Sequence, residues 1–550
     1  MEFSLNGRKT ALATMQSQTL DLLVIGGGIT GSGIALDAQS RGLDTGLIEM
    51  QDFAAGTSSR STKLIHGGLR YLKQFEVKLV AEVGKERAIV YENAPHVTEP
   101  VRMMLPFYKG GTFNALTTSV GLSVYDRLAG VKKAERRTMM SSKEALKHES
   151  ILSKKDLKGA GMYVEYRTDD ARLTMEVAKS AAERGAKLAN YVRAESFIYD
   201  NKKLVGVTAV DLISGESIKI YAKKIINATG PWVDTLREQD RSREGKSIHL
   251  TKGVHLVVSK ERLPLQQALY FDTPFGDGRM MFAIPRGEKV YIGTTDTNFD
   301  ADQKEPGVTV DDVHYILDAA NGLFPGYHLT KTDVESSWSG LRPLIHEDGK
   351  DPSEISRKDE IFHSESGLMT IAGGKLTGYR KMADTIVSIA AEEISKETGQ
   401  SFPECQTKHL VLSGGNVGGS EGYQAFKEKS IQDGINRGLD KKMSEEIAER
   451  YGSNASVVHQ YLNDEQQYGL PAPLYAMLRY SIEHEMAATP VDFFLRRTSY
   501  LLFDIESVYR YKLQIVQAMS ELIGWSDDEK SEYKAELDAQ EDLATLRSVL

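Results

Sequence analysis

The 550-residue chain has a single cysteine, Cys405. One thiol excludes an internal disulfide, a cysteine-based zinc site and a cysteine-held iron–sulfur cluster within this chain, and it fits a reducing compartment. No run approaches the roughly 18–20 consecutive apolar residues of a membrane-spanning helix, so no bilayer crossing is expected. Positive charge is also in short supply, with 68 Lys and Arg against 77 Asp and Glu for a net charge of −9. Without a global positive field, nucleic acid is not an expected partner. The 12 histidines include no H-E-x-x-H and the scattered carboxylates form no recognisable ligand set, so no metal is expected. Residues 1–19 carry Arg8 and Lys9 but no continuous apolar h-region, and read as a short polar or weakly amphipathic leader rather than a signal peptide. Cytoplasmic residence is the expectation.

The length suffices for about three to four domains at roughly 150 residues each. From Leu20, LDLLVIGGGITGSGIALDAQSRGLDTGLIEM reads as a strand, a glycine turn, a helix ending near Gly42 and a second strand ending at Glu49. A helix, a stop at Gly185 and a short strand recur at 171–191. Residues 204–226 alternate around the turn ISGES as antiparallel strands, and 250–300 are β-rich. SGGNVGGSEG marks a linker, beyond which apolar residues recur at helical spacing. The fold class is therefore α/β plus α. A discontinuous Rossmann-like cofactor domain is expected over 20–100, 155–248 and 335–398, a β-rich substrate or cap domain over 101–154 and 249–334, and a helical domain over 405–550.

Gly26, Gly28 and Gly31 satisfy G-x-G-x-x-G between a strand and a helix. The first glycine allows the turn, the second admits a pyrophosphate to the backbone, and the third permits close helix–strand packing. Glu49, 21 residues after Gly28, is placed to accept hydrogen bonds from a ribose. A dinucleotide follows, and at this step FAD and NAD both remain open. In AAGTSSRSTKLIHGGLRYL, Thr57, Ser58, Ser59, Ser61 and Thr62 offer donors and acceptors beside Lys63, His66 and Arg70, a composition suited to an anionic ligand. Two later turns, INATGPW around Gly230 and AGGKLTG around Gly373, Gly374 and Lys375, precede helical segments whose positive ends suit anionic groups.

In this order, GGGITGSGIALDAQSRGL, TSSRSTKLIHGGLRYL, NATGPWVD, GTTDT, SGLRPL and AGGKLTGYRK resemble the FAD-dependent glycerol-3-phosphate dehydrogenases of the D-amino-acid-oxidase-like flavoproteins. The resemblance covers about residues 20–395, and HEMAATPVDFFLRRTSY resembles that family's additional helical domain. It implies noncovalent FAD, oxidation of sn-glycerol 3-phosphate to dihydroxyacetone phosphate by hydride transfer to flavin N5, and electron delivery to membrane quinone. It also implies that Thr57, Ser58, Ser59, Thr62, Lys63, Leu64, Leu376 and Thr377 join the glycines and Glu49 around FAD. Oxygen-dependent glycerol-3-phosphate oxidases are the runner-up, disfavoured by the absence of an obvious long insertion. An amine or amino-acid oxidase and a flavin-binding sensor without turnover are more distant alternatives.

The resemblance further places Arg70, Tyr71, His255, Arg342, Arg357 and Lys375 around the substrate. Arg70 and Arg357 are assigned to phosphate, for which a guanidinium offers a planar fork. Arg342 is a candidate to stabilise the C2 oxygen, being a poor base. His255 is the candidate base, with His66 as the alternative. Quinone reduction implies peripheral contact with the inner face of the membrane. The segment 113–137, with Lys132 and Lys133, suits either an interfacial helix or a helix packed on the protein. A homo-oligomer is possible on this sequence.

Overall fold

The computed structural model describes residues 2–66, 77–115, 118–119, 121–123, 136–347, 359–465, 468–547 and 549. Its first sheet has, among the described residues, eight strands. Thr19–Ile25 lies at the centre and pairs in parallel with Thr45–Ile48 on one side and Ser217–Asn227 on the other. Lys187–Ala189 and Leu368–Ala372 extend the parallel part at either end. The last four residues of the central strand, Leu22 to Ile25, are all buried, as expected of a parallel strand covered on both faces. The helix Ile29–Ser40 crosses one face between Asp170–Glu183 and Tyr379–Thr398, and a Cβ on Gly33 would come within 2.8 Å of the Tyr379 ring. Helix stops match the sequence signals: Gly42 has φ +87° and Gly185 φ +103°, conformations that suit glycine.

The second sheet has ten strands among the described residues, mostly antiparallel, with Lys246–Ser259 and Val334–Glu347 forming its longest ladder. Val310–Leu323 packs on it through Val313, Ile316, Leu317 and Ala320. The strands Leu157–Thr168 and Val334–Glu347 belong to this sheet, although the sequence division groups most of each with the cofactor domain. Both are long, and each carries the chain from one body to the other. The C-terminal region is helical, with Lys441–Tyr451, Ala472–His484, Ile505–Ile523 and Asp527–Ala544 enclosing a core that includes Tyr451, Tyr475, Phe493 and Ile515. Among the described residues no helix is long and apolar enough to cross a membrane.

The N-terminal segment differs from its reading as a leader. Leu5–Ser17 is an α-helix, capped by the Ser4 hydroxyl on Gly7 N–H, that packs Ala11, Leu12 and Met15 against Leu20, Leu23 and Ile225. Its inward stripe begins with Arg8, a charge that disguises the helix's apolar face in hydropathy. Arg8 is buried, pairs with the Asp211 carboxylate and donates from Nε to the Asn190 carbonyl at 2.9 Å. Replacing one partner of such a buried pair leaves the other charge without compensation. Arg8→Ala should therefore destabilise the protein by about 3–5 kcal/mol in chemical denaturation; a loss below about 1 kcal/mol would show that the pair is no anchor.

Candidate active site

The central strand feeds the glycine turn at the carboxyl end of the parallel sheet. Gly26 has φ +112°, and a Cβ there would lie 2.6 Å from the Ala228 carbonyl oxygen. A Cβ on Gly31 would come within 1.9 Å of the Gly26 carbonyl oxygen, so the third glycine serves close packing. Gly28 cannot cap the helix Ile29–Ser40, and the Ser58 hydroxyl does so from the following loop, accepting Ile29 N–H at 2.9 Å. Across the turn, the Glu49 carboxylate accepts the N–H groups of Gly27 at 2.6 Å and Gln51 at 2.8 Å. Burial raises the Glu49 pKa against the opposing effect of these two donors.

From this turn runs a cavity of about 330 Å³. Val192–Glu195 line it beside Glu49, and Thr229–Trp232, Pro343 and Gly373–Leu376 complete the lining. Gly26, Gly28, Glu49, Thr57, Ser58, Gly230, Gly373, Gly374, Lys375 and Leu376 line it. Gly31, Ser59, Thr62, Lys63, Leu64 and Thr377 are not among the lining residues. Lys63, at φ +56°, points its ammonium to Asp170 Oδ1 at 2.6 Å and to the Ser59 carbonyl at 3.0 Å. Leu64 packs in an apolar cluster with Tyr291 and Trp338, and the Thr377 hydroxyl donates to the His66 carbonyl at 3.3 Å.

Beside Pro343, paired strands assemble a polar group. His255 lies on Lys246–Ser259 and is buried, with its ring stacked on Trp338 at 4.6 Å and its Nε2 3.1 Å from the Thr62 hydroxyl. Burial, helped by the nearby Arg342 and Lys63 charges, holds its pKa well below 6.5. Arg342 donates to the Thr294 hydroxyl at 3.0 Å, the Thr295 carbonyl at 3.2 Å and Asp296 Oδ1 at 3.1 Å. Two glycines make room for these groups: a Cβ on Gly253 would fall 2.3 Å from the Arg342 guanidinium, and one on Gly293 would fall 2.4 Å from the His255 ring. His66 approaches from the loop side, where burial and then the Lys375 charge push its pKa down to about 3.

The structure thus brings His255 against Thr62 and near Arg342, and sets His66 near Lys375, which lines the cavity. Arg70, Tyr71 and Arg357 lie outside the described residues. So do Lys132 and Lys133, with much of the segment around them. Sequence reasoning missed Trp338, Asp170 and the Arg342 partners Thr294 and Asp296. The GTTDT motif contains the last two, and a glycine two residues before His255 inside a strand signals close approach. No group of metal-ligating side chains occurs among the described residues.

Residues 21–380 match the FAD dependent oxidoreductase family, and residues 405–530 match the C-terminal domain of alpha-glycerophosphate oxidase. The chain is 55% identical over 540 residues to the aerobic glycerol-3-phosphate dehydrogenase of Bacillus subtilis, covering 98% of this chain and 97% of that one. Its structure superposes with a TM-score of 0.86 on the glycerol-3-phosphate dehydrogenase of Bacillus halodurans complexed with FAD, at 49% identity over 99% of this chain and 98% of that one. The L-alpha-glycerophosphate oxidase of Mycoplasma pneumoniae shares the fold, with a TM-score of 0.54, 17% identity, and coverage of 72% of this chain and 98% of that one.

Keeping His255 neutral makes stability depend on pH. With its folded pKa well below the ordinary 6.5, the unfolded chain binds the proton first as pH falls. The contribution is complete above pH 6.5 and is lost on acidification. From pH 6.5 to 5.5 it amounts to about 1 kcal/mol. Denaturant unfolding at both pH values should show that much less acid-side loss in His255→Asn; equal losses would mean that the ring is protonated in the folded protein.

Proposed function

The chain belongs to the FAD-dependent glycerol-3-phosphate dehydrogenase family, with FAD as its cofactor, and from that premise we propose that it oxidises sn-glycerol 3-phosphate to dihydroxyacetone phosphate and passes the electrons to a membrane quinone. The observation that supports the mechanism is the buried contact of His255 with Thr62 and the nearby Arg342 charge, on the strand whose next residue, Pro343, lines the same cavity as the glycine turn. The cavity residues fit FAD. Gly28 lines the space, where a Cβ would crowd the Ser58 hydroxyl at 3.1 Å, Glu49 retains acceptor capacity for hydroxyls beyond its two backbone donors, and Gly373 and Gly374, at φ +76° and +75°, open the start of the short helix Leu376–Gly378. When bound, FAD supplies the hydride acceptor, its N5 atom.

The protein's own groups bind, orient and move a proton. Arg70 and Arg357 are assigned to the substrate phosphate, where two guanidinium forks match a dianion, and Tyr71 to the substrate beside them. Arg342, held by Thr294, Thr295 and Asp296, stabilises the C2 oxygen as negative charge develops. His255 is neutral and shares its Nε2 with the Thr62 hydroxyl, so it takes the C2 hydroxyl proton directly or through Thr62. His66, the alternative base, is likewise held neutral, with its pKa pushed to about 3. Lys375 adds a positive charge beside the reacting centre. Quinone reduction requires peripheral contact with the inner face of the membrane, a cytoplasmic setting that also suits the phosphorylated substrate.

Anaerobic addition of sn-glycerol 3-phosphate should bleach the flavin absorbance, with faster recovery on quinone than on oxygen. Rapid oxygen recovery with peroxide would make the protein an oxidase, and a flavin that never bleaches would remove the substrate. Arg342→Ala should slow bleaching about 10²–10³-fold with FAD retained. His255→Asn should slow it about 10²-fold or more with little change in substrate affinity; unchanged rates across pH would eliminate the base role.

A further inference from the structure

The loop that supplies Glu49–Gln51 and Ala55–Ser58 to the cofactor cavity has one acidic residue turned away from it. Asp52 is completely buried and points into the C-terminal helical region. Its carboxylate accepts Arg496 Nε at 2.6 Å, two Arg497 nitrogens at 2.6 and 2.9 Å, and the Asn190 amide at 3.0 Å. Both arginines end the six-residue π-helix Asp492–Arg497, and its wider winding sets two consecutive guanidinium groups on one carboxylate. Arg497 is anchored in turn on the Glu485 carbonyl at 2.7 Å, and Asp492 accepts the Tyr191 hydroxyl at 2.7 Å. The Tyr191 backbone N–H bonds the Gln51 carbonyl at 2.8 Å, and the Ala54 N–H bonds the Gly27 carbonyl at 3.1 Å. The loop is therefore held on one side by the glycine turn and on the other by the C-terminal helices.

We propose that Asp52, Arg496 and Arg497 are positioning residues through which the C-terminal helical region sets the cofactor loop, so that docking of this region and binding of FAD favour each other. The loop carries seven cavity residues but has no regular structure except the short turn Thr57–Ser59. Its shape must come from outside its own backbone hydrogen bonds. A bidentate fork on a fully buried carboxylate fixes direction as well as distance, which a single apolar contact does not. Burial alone would raise the Asp52 pKa, and the two guanidinium groups reverse this and hold it at about 2. The pair is therefore charged throughout the neutral range.

Coupling of this kind is reciprocal. In the wild-type holoenzyme, hydrogen exchange over residues 485–499, on the far side of Asp52 from the cavity, should be about tenfold or more slower than in apo-protein. Equal exchange with and without FAD would overturn the proposal, and this measurement needs no variant to fold. Arg497→Gln should raise the FAD dissociation constant about tenfold or more, and Arg497→Lys, which keeps the charge and loses the fork, should recover part of that loss. A variant with lowered melting temperature but FAD affinity within about twofold of wild type would show that the cluster stabilises the fold without setting the loop.

Discussion

Position 31 can hold no side chain because the carbonyl oxygen of Gly26 occupies its place. A Cβ there would lie 1.9 Å from that oxygen. This contact lets the helix Ile29–Ser40 begin directly after the turn and run tightly along the central strand. Its first turn, Ile29 and Thr30, consequently lines the cavity, where the positive end of the helix dipole favours anionic groups. The same tightness allows two further helices to close over it, one of them leading out of the Gly373–Leu376 turn that also lines the cavity. One backbone-to-backbone approach thereby relates the two turns of the cofactor site.

The remaining geometry depends on buried charge. Asp169 caps the helix Asp170–Glu183, accepts Arg286 of the second sheet at 2.9 Å and accepts the Ser499 hydroxyl of the C-terminal region at 2.8 Å. Its neighbour Asp170 accepts the Ser61 N–H and hydroxyl together with the Lys63 ammonium. Two adjacent carboxylates thus join the three bodies of the chain to the loop beneath His255. Desolvating a carboxylate costs several kcal/mol unless its partners are in place, so this arrangement penalises incomplete assembly more than it adds to net stability.

Local signals were legible where backbone geometry demands particular residues. The glycine turn, the Gly42 and Gly185 stops and the helix after Lys375 all have such signals, and the structure has them in place. Less legible were features set by contacts distant in sequence. Arg8 reads as a polar residue in a leader, yet its partner is Asp211. Lys63 reads as a ligand for an anion, yet its ammonium faces Asp170. The Arg342 partners lie about 47 residues away across the sheet, and Asp52 meets its arginines more than 440 residues later. Pattern and spacing report on neighbours along the chain, while these pairings follow from how long strands and helices bring remote segments together.

The three tryptophans fall in different parts of the molecule. Trp232 is on the wall of the cofactor cavity, Trp338 is stacked on His255, and Trp525 packs on Tyr533 in the C-terminal helices with ring centres 4.7 Å apart. The chain therefore carries an intrinsic fluorophore at each of the three places whose coupling matters. Emission from Trp232 is the most exposed to energy transfer into a neighbouring chromophore, Trp338 to quenching by the imidazole, and Trp525 to loosening of the helical region. Single-tryptophan versions of this one protein would consequently give three separate optical views of the same assembly.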